Sequence, residues 1–255
     1  VNPFYFGSDA RRLFGLYTPA RGRSPKARAV LLCHAWGSEY VRSHRSMRQL
    51  AGLLSAGGFD ALTFDYFGTG DSAGEMAGAE IEGWISDIEE AITELKDLSG
   101  VSRVSVVGLR FGATLAARLF RQPRKDVEAL VLWDPIVSGP QYVDALVTGP
   151  SARRRSPEVG GGVEVHGFRL TDDMERGMRA IDLVSLVQTF PARTLVVISE
   201  AVAPAGAFEH ALQSHPAGPL PVRSIPAPPA WLEEGDFGPG AVPVPLLRSV
   251  VEWLG

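Results

Sequence analysis

The residues best spaced for chemistry sit where a β-branched apolar run gives way to an Ala-rich helical pattern, at Val104–Ala117. Between the two lies Gly108-Leu109-Arg110-Phe111-Gly112, which has the G-x-S-x-G spacing of a strand-to-helix elbow that holds a nucleophile out for attack. Glycines flank such a turn because a Cβ at either place clashes when the strand reverses tightly into the helix. Attack on a carbonyl needs Ser, Cys or Asp at the centre. Arg110 stays protonated across the physiological range and no neighbouring base can activate it. The spacing predicts the elbow and excludes attack from it.

Elements that must position this turn are legible on both sides. Phe4–Phe6 and Leu13–Tyr17 form a candidate antiparallel hairpin, and Ala20–Lys26 is a polar connection. Ala29–Cys33 is short and wholly apolar, as expected of a strand buried on both faces, and it runs into His34-Ala35-Trp36-Gly37-Ser38. A helix is expected from about Ser43 to Ser55, then a strand at Phe59–Asp65 and a Gly-rich turn through Ser72. Ile81, Trp84, Ile85, Ile88, Ile92 and Leu95 share one face of a helix expected over Ala79–Leu98; Trp84 reads as core rather than a cofactor contact. The elbow helix is expected to reach Phe120. Further strands follow at Ala129–Trp133, Thr194–Ile198 and Val222–Ile225, with a closing helix at Val244–Leu254. Alternation of this kind specifies an α/β fold, a mostly parallel sheet flanked by helices. Periodicity fails from Ile136 to about Arg179, and Ser151–Gly162 reads as an exposed flexible loop whose Arg153-Arg154-Arg155 is a solvated surface. One domain over residues 1–255 is expected, with a lid insertion at 136–180.

His34-Ala35-Trp36-Gly37, then Asp65-Tyr66-Phe67-Gly68-Thr69-Gly70-Asp71-Ser72, then the elbow, in that order, resemble the α/β-hydrolase superfamily over nearly the whole chain. More narrowly, Gly108–Ala113 and Leu130–Pro135 resemble the bacterial hydrolase-like proteins associated with the exosortase A system. Those proteins accompany exopolysaccharide and protein-sorting loci and carry Arg at the elbow.

The superfamily resemblance implies oxyanion donors from the backbone of Phe111 and of Ala35 or Trp36. It implies a base in the loop after the last strand, yet Pro226–Trp231 holds no His. His34 belongs to the oxyanion loop, and His210 and His215 are the candidates for a displaced base. The implied acid is Glu200, after Thr194–Ile198, or Asp134, which also suits a turn before Pro135. Two of three triad functions are thus missing from their expected places. For Arg110 two readings are open: an anion-binding group at a helix N-terminus, or a side chain paired with a local acid such as Asp134 or Glu200.

Composition bounds the rest. With 45% hydrophobic and 21% charged residues the 255-residue chain can bury a large core, and a net charge of −4 argues against nucleic-acid partners. No apolar run reaches a membrane span, no basic-then-apolar leader opens the sequence, and the one cysteine, Cys33, fits a reducing compartment; the cytoplasm is the expected location. No residue spacing calls for a metal or a cofactor. The expected partner is a small-molecule ligand, with an anion as one candidate, and oligomeric state is left open. The favoured function is binding or accessory, in exopolysaccharide metabolism if the narrower resemblance holds. The competing one is a hydrolase or acyltransferase on esters or thioesters that uses displaced groups.

Overall fold

The wholly apolar runs of the sequence become the middle of an eight-stranded sheet in the computed structural model, which describes residues 1–22, 27–154, 161–199, 206–228, 230–231 and 241–255. Its strands are β1 (Asn2–Ser8), β2 (Arg11–Thr18), β3 (Ala29–Cys33), β4 (Asp60–Phe64), β5 (Val104–Leu109), β6 (Val127–Trp133), β10 (Thr194–Ser199) and β11 (Val222–Ile225). They lie in the order β1-β2-β4-β3-β5-β6-β10-β11. The pairings from β4 through β11 are parallel, and β2 runs against both of its neighbours.

Successive side chains on a strand point to opposite faces, and here both faces are covered. Leu31 and Cys33 of β3, Val106 of β5 and Leu130 and Leu132 of β6 face one core, together with Trp84, Ile88 and Ile92 of α2 (Ile81–Ser99). Val30 and Leu32, Val107 and Leu109, and Val131 and Trp133 face the other. There they meet Met47, Leu50 and Leu54 of α1 (Ser38–Ala56) and Leu246, Leu247 and Val250 of α7 (Val244–Leu254). Double-sided burial explains why these strands read as continuous apolar runs instead of alternating ones.

Several expected boundaries move. The first helix begins at Ser38 rather than Ser43, because Gly37 takes φ 65° and turns the chain into the helix at once. The elbow helix α3 (Phe111–Arg118) stops short of Phe120, passing into a 3₁₀ turn at Leu119–Arg121. A helix absent from the sequence reading, α6 (Gly206–Gln213), buries Phe208 and Leu212.

Segment 136–180 is more regular than its broken periodicity suggested. It carries α4 (Gly139–Thr148), a three-stranded antiparallel sheet of β7 (Ala152–Arg154), β8 (Val163–Val165) and β9 (Phe168–Leu170), and α5 (Asp172–Arg179). The expected loop over Ser151–Gly162 therefore starts as an edge strand; residues 155–160 lie outside the described ones. Short elements packed on the rest of the fold leave too few residues for a period to register. Met174 and Met178 of α5 are buried in the main core, and Tyr142 and Phe168 reach the region above the sheet described next.

Candidate functional site

Loops that leave the C-terminal ends of β3, β4, β5 and β6 meet at one edge of the sheet, beside Ser199 at the end of β10, where open α/β sheets bind ligands. The elbow is built as its glycines predict. A Cβ on Gly108 would lie 2.4 Å from Ala113 Cα, and one on Gly112 would lie 2.1 Å from the His34 carbonyl oxygen. Arg110 is left at φ 53°, ψ −120°, a conformation that costs a non-glycine residue about 1–3 kcal/mol and must be imposed by its surroundings.

The Arg110 side chain is almost fully engaged. Its Nε and Nη2 donate to Glu39 Oε1 at 3.1 and 3.0 Å, and its Nη1 donates to the Asp134 carbonyl at 3.2 Å. The guanidinium lies 3.7 Å from the centroid of the Trp231 ring, a cation–π stack. Tyr142 donates to Glu39 Oε2 at 3.3 Å. Burial and the nearby Glu39 carboxylate push the Tyr142 phenol well above its ordinary pKa, so it remains a donor. Arg110 and Glu39 are 8% and 9% exposed, so the charge of the arginine is met inside the protein.

Asp134 is fully buried at φ 44°. Its carboxylate accepts from the Ser199 N–H at 2.8 Å, from the Ser199 hydroxyl at 2.6 Å and from the indole N–H of Trp231 at 2.9 Å. A hydrolytic triad joins acid to base by a ring N–H donated to a buried carboxylate. The same link exists here with an indole as the ring. An indole nitrogen donates but has no lone pair with which to accept a proton.

The other candidates fall as follows. Ala35 and Trp36 are buried in the loop between β3 and α1, which Gly112 packs against, and Phe111 opens α3. Glu200 lies outside the described residues. His215 is buried away from this network, accepting the Ala217 N–H at Nδ1 and facing the Phe190 carbonyl with Nε2, while His210 is exposed on α6. Burial raises the Cys33 thiol to about 12, which keeps it protonated and inert. No cluster of His, Cys, Asp and Glu among the described residues could hold a metal ion.

Beside this network lies a cavity of about 260 Å³ lined by residues of the β3 and β4 loops, among them Trp36, Tyr40, Asp65, Tyr66 and, from β9, Phe168. The Asp65 carboxylate accepts from Tyr40 Oη at 2.8 Å and from the Asp71 N–H at 3.0 Å. Burial, with the neighbouring His44, lowers His34 to about 3, so its ring is neutral at physiological pH.

A family model described as serine aminopeptidase, S33, matches residues 23–176. The chain belongs to this S33 hydrolase family. A search of the curated proteins finds no significant relative. Among solved structures this S33 chain is similar to Est1E from Butyrivibrio proteoclasticus bound to ferulic acid. The identity is 17%, the TM-score 0.69, and 98% of this chain and 96% of the other are covered. It is similar to DcsB in complex with its substrate analogue at 16% identity and TM-score 0.70, with 99% and 97% covered. A soluble variant of monoglyceride lipase from Saccharomyces cerevisiae gives 14% identity and TM-score 0.67, with 98% and 94% covered. At such identities the likeness concerns the fold, which is that of the α/β-hydrolases.

Sequence reasoning missed three residues of the site: Glu39, Tyr142 and Trp231. For Trp231 a signal existed, an aromatic ring with an N–H in the loop after the last strand, where the superfamily keeps its His. Glu39 and Tyr142 carried none, since their role depends on contacts 71 and 103 residues away along the chain.

Proposed function

We propose that this α/β-hydrolase-fold chain does not hydrolyse esters or amides and acts as a binding or accessory protein. The observation that carries this reading is Arg110 at the elbow, paired with Glu39 and stacked on the indole that holds Asp134. The elbow holds no hydroxyl or thiol, and the ring bonded to Asp134 is an indole that cannot accept a proton, whereas triad acyl transfer needs a nucleophile at the elbow and a base beside it. Of the two readings of Arg110, the geometry supports pairing with a local acid, and that acid is Glu39. An external anion would have to displace a buried carboxylate, so we read the anion of this site as supplied by the chain itself. Gly108–Ala113 and Leu130–Pro135, the stretches that resemble exosortase A-associated proteins, meet where the Arg110 N–H donates to the Trp133 carbonyl at 2.9 Å. The resemblance therefore falls on the altered site itself, which supports a bacterial, cytoplasmic role near exopolysaccharide metabolism.

Fluorophosphonate labelling and a panel of activated esters and thioesters test this reading. The protein is expected to remain unlabelled and to leave the panel at the blank rate. Stoichiometric labelling of any serine overturns it in favour of a hydrolase or acyltransferase with displaced groups. The S33 family and the solved monoglyceride lipase neighbour are compatible with that second outcome.

A further inference from the structure

The cavity beside the altered elbow is not lined by Arg110, Asp134 or Trp231. Five of its lining residues, Trp36, Tyr40, Phe64, Tyr66 and Phe168, are aromatic, and one, Asp65, is a carboxylate. Asp65 is 7% exposed, and no arginine or lysine among the described residues pairs with it. Its two bonds come from neutral donors, the Tyr40 hydroxyl and the Asp71 N–H. Two oxygens offer about four acceptor positions, so capacity is left over.

Buried carboxylates are ordinarily paired with a cation or held by a dense set of donors, as Asp87 is by Arg11 and Asp134 by three N–H and O–H groups. Asp65 lacks both. Part of its role is local, since the Gly-rich turn wraps it so closely that a Cβ on Gly70 would sit 2.1 Å from Oδ2. That explains its position and leaves its charge without an arginine or lysine partner among the described residues, with His44 acting on it from a distance and no hydrogen bond between the two. His34, which also lines the cavity, is neutral and offers no opposing positive charge.

We propose that this cavity is a binding site for a small organic cation, a protonated amine whose charge meets Asp65 while its body lies against the aromatic walls. Aromatic faces attract cations through the ring quadrupole, and more strongly when water is excluded. A volume near 260 Å³ is at the small end for ligand pockets, which limits the ligand to a single ring or a short chain. An anion is disfavoured by Asp65, and a neutral molecule brings the carboxylate no charge partner. The site rests on the ligand-binding half of the proposed function and not on the loss of hydrolysis.

Three probes of matched size and different charge test it by titration calorimetry at pH 7: benzylammonium, benzyl alcohol and benzoate. Benzylammonium is expected to bind saturably at one site, with the other two at least about tenfold weaker. Asp65→Asn should weaken benzylammonium by about tenfold or more. Val41 lines the cavity and is 58% exposed, so Val41→Trp should obstruct the site without disturbing the core and abolish binding at an unchanged melting temperature. Equal binding of benzyl alcohol, binding that survives Val41→Trp, or no saturable binding by the wild-type protein each overturns the proposal. None of these outcomes bears on fluorophosphonate labelling, so failure of the cation site and failure of the non-hydrolytic reading are separable.

Discussion

The indole N–H of Trp231 donates to Asp134 Oδ2 at 2.9 Å while the face of the same ring carries the Arg110 guanidinium. One aromatic ring thus links the buried acid at the end of β6 to the elbow after β5. It does so through a donor and a π face, neither of which takes up a proton.

That relationship makes restoration of hydrolysis a two-position problem at least. Arg110→Ser alone should remain at background on p-nitrophenyl acetate, because its hydroxyl would face an indole. Arg110→Ser with Trp231→His supplies a ring that can both donate to Asp134 and accept from Ser. Glu39→Gln in the same protein removes the carboxylate that would otherwise lose its partner. The combined variant should exceed Arg110→Ser by about 10²-fold or more, the usual worth of a positioned general base. Steady-state ester hydrolysis checks this, and robust turnover by Arg110→Ser alone would show a base elsewhere.

The Glu39–Arg110 pair should behave as a coupled unit in stability. Removing one partner strands a buried charge, which costs about 3–5 kcal/mol in comparable pairs. Glu39→Gln and Arg110→Met should each lower the urea midpoint strongly. The double variant should be clearly less damaged than the sum, partly because Met also loses its neighbour's desolvation demand. Additive effects in the double-mutant cycle would show that the two charges are not coupled.

Acidification should act through His34. Its folded pKa of about 3 lies below the ordinary value of 6.5 because burial opposes the charged ring. The stability associated with the neutral ring is therefore present above about pH 6.5 and is lost as pH falls toward about 3, since only the unfolded chain takes up the proton. Relative to His34→Gln, the wild-type protein should lose about 1.4 kcal/mol per pH unit below 6.5. Asp65 is raised by burial and so has the opposite sign, gaining stability as pH falls through its folded pKa, but it is common to both proteins. Urea midpoints measured from pH 7 down to the acid limit of folding decide the matter, and parallel curves would refute it.

Two glycines should respond in opposite ways to the same methyl group. Gly112→Ala places a Cβ against the His34 carbonyl and should separate α3 from the β3 loop, leaving little folded protein on thermal denaturation. Gly52 in α1 has open space where its Cβ would stand. Gly52→Ala should raise stability by about 0.5–1 kcal/mol through helix propensity alone.

The sequence by itself determined the sheet and the elbow. Ala29–Cys33 and Val244–Leu254 agree with the structure residue for residue, because a strand covered on both faces and an amphipathic helix write their burial into a local pattern. Gly108 and Gly112 likewise announced a turn whose steric demand is local. Tertiary structure alone decided what became of Arg110. Its partner Glu39 lies 71 residues earlier, and a single acidic residue in a first helical turn reads as an ordinary favourable charge near a helix N-terminus. Asp134 looked like a turn former before Pro135, and only the arrival of Ser199 at the end of β10 and Trp231 from beyond β11 gave its carboxylate three donors. Asp65 followed the same course: the Gly-rich turn was legible, whereas the aromatic cavity above it required Phe168 from a segment with no readable period. Backbone elements are set by neighbours in the chain. Charges are compensated by whatever the fold brings within reach, and no local spacing records that.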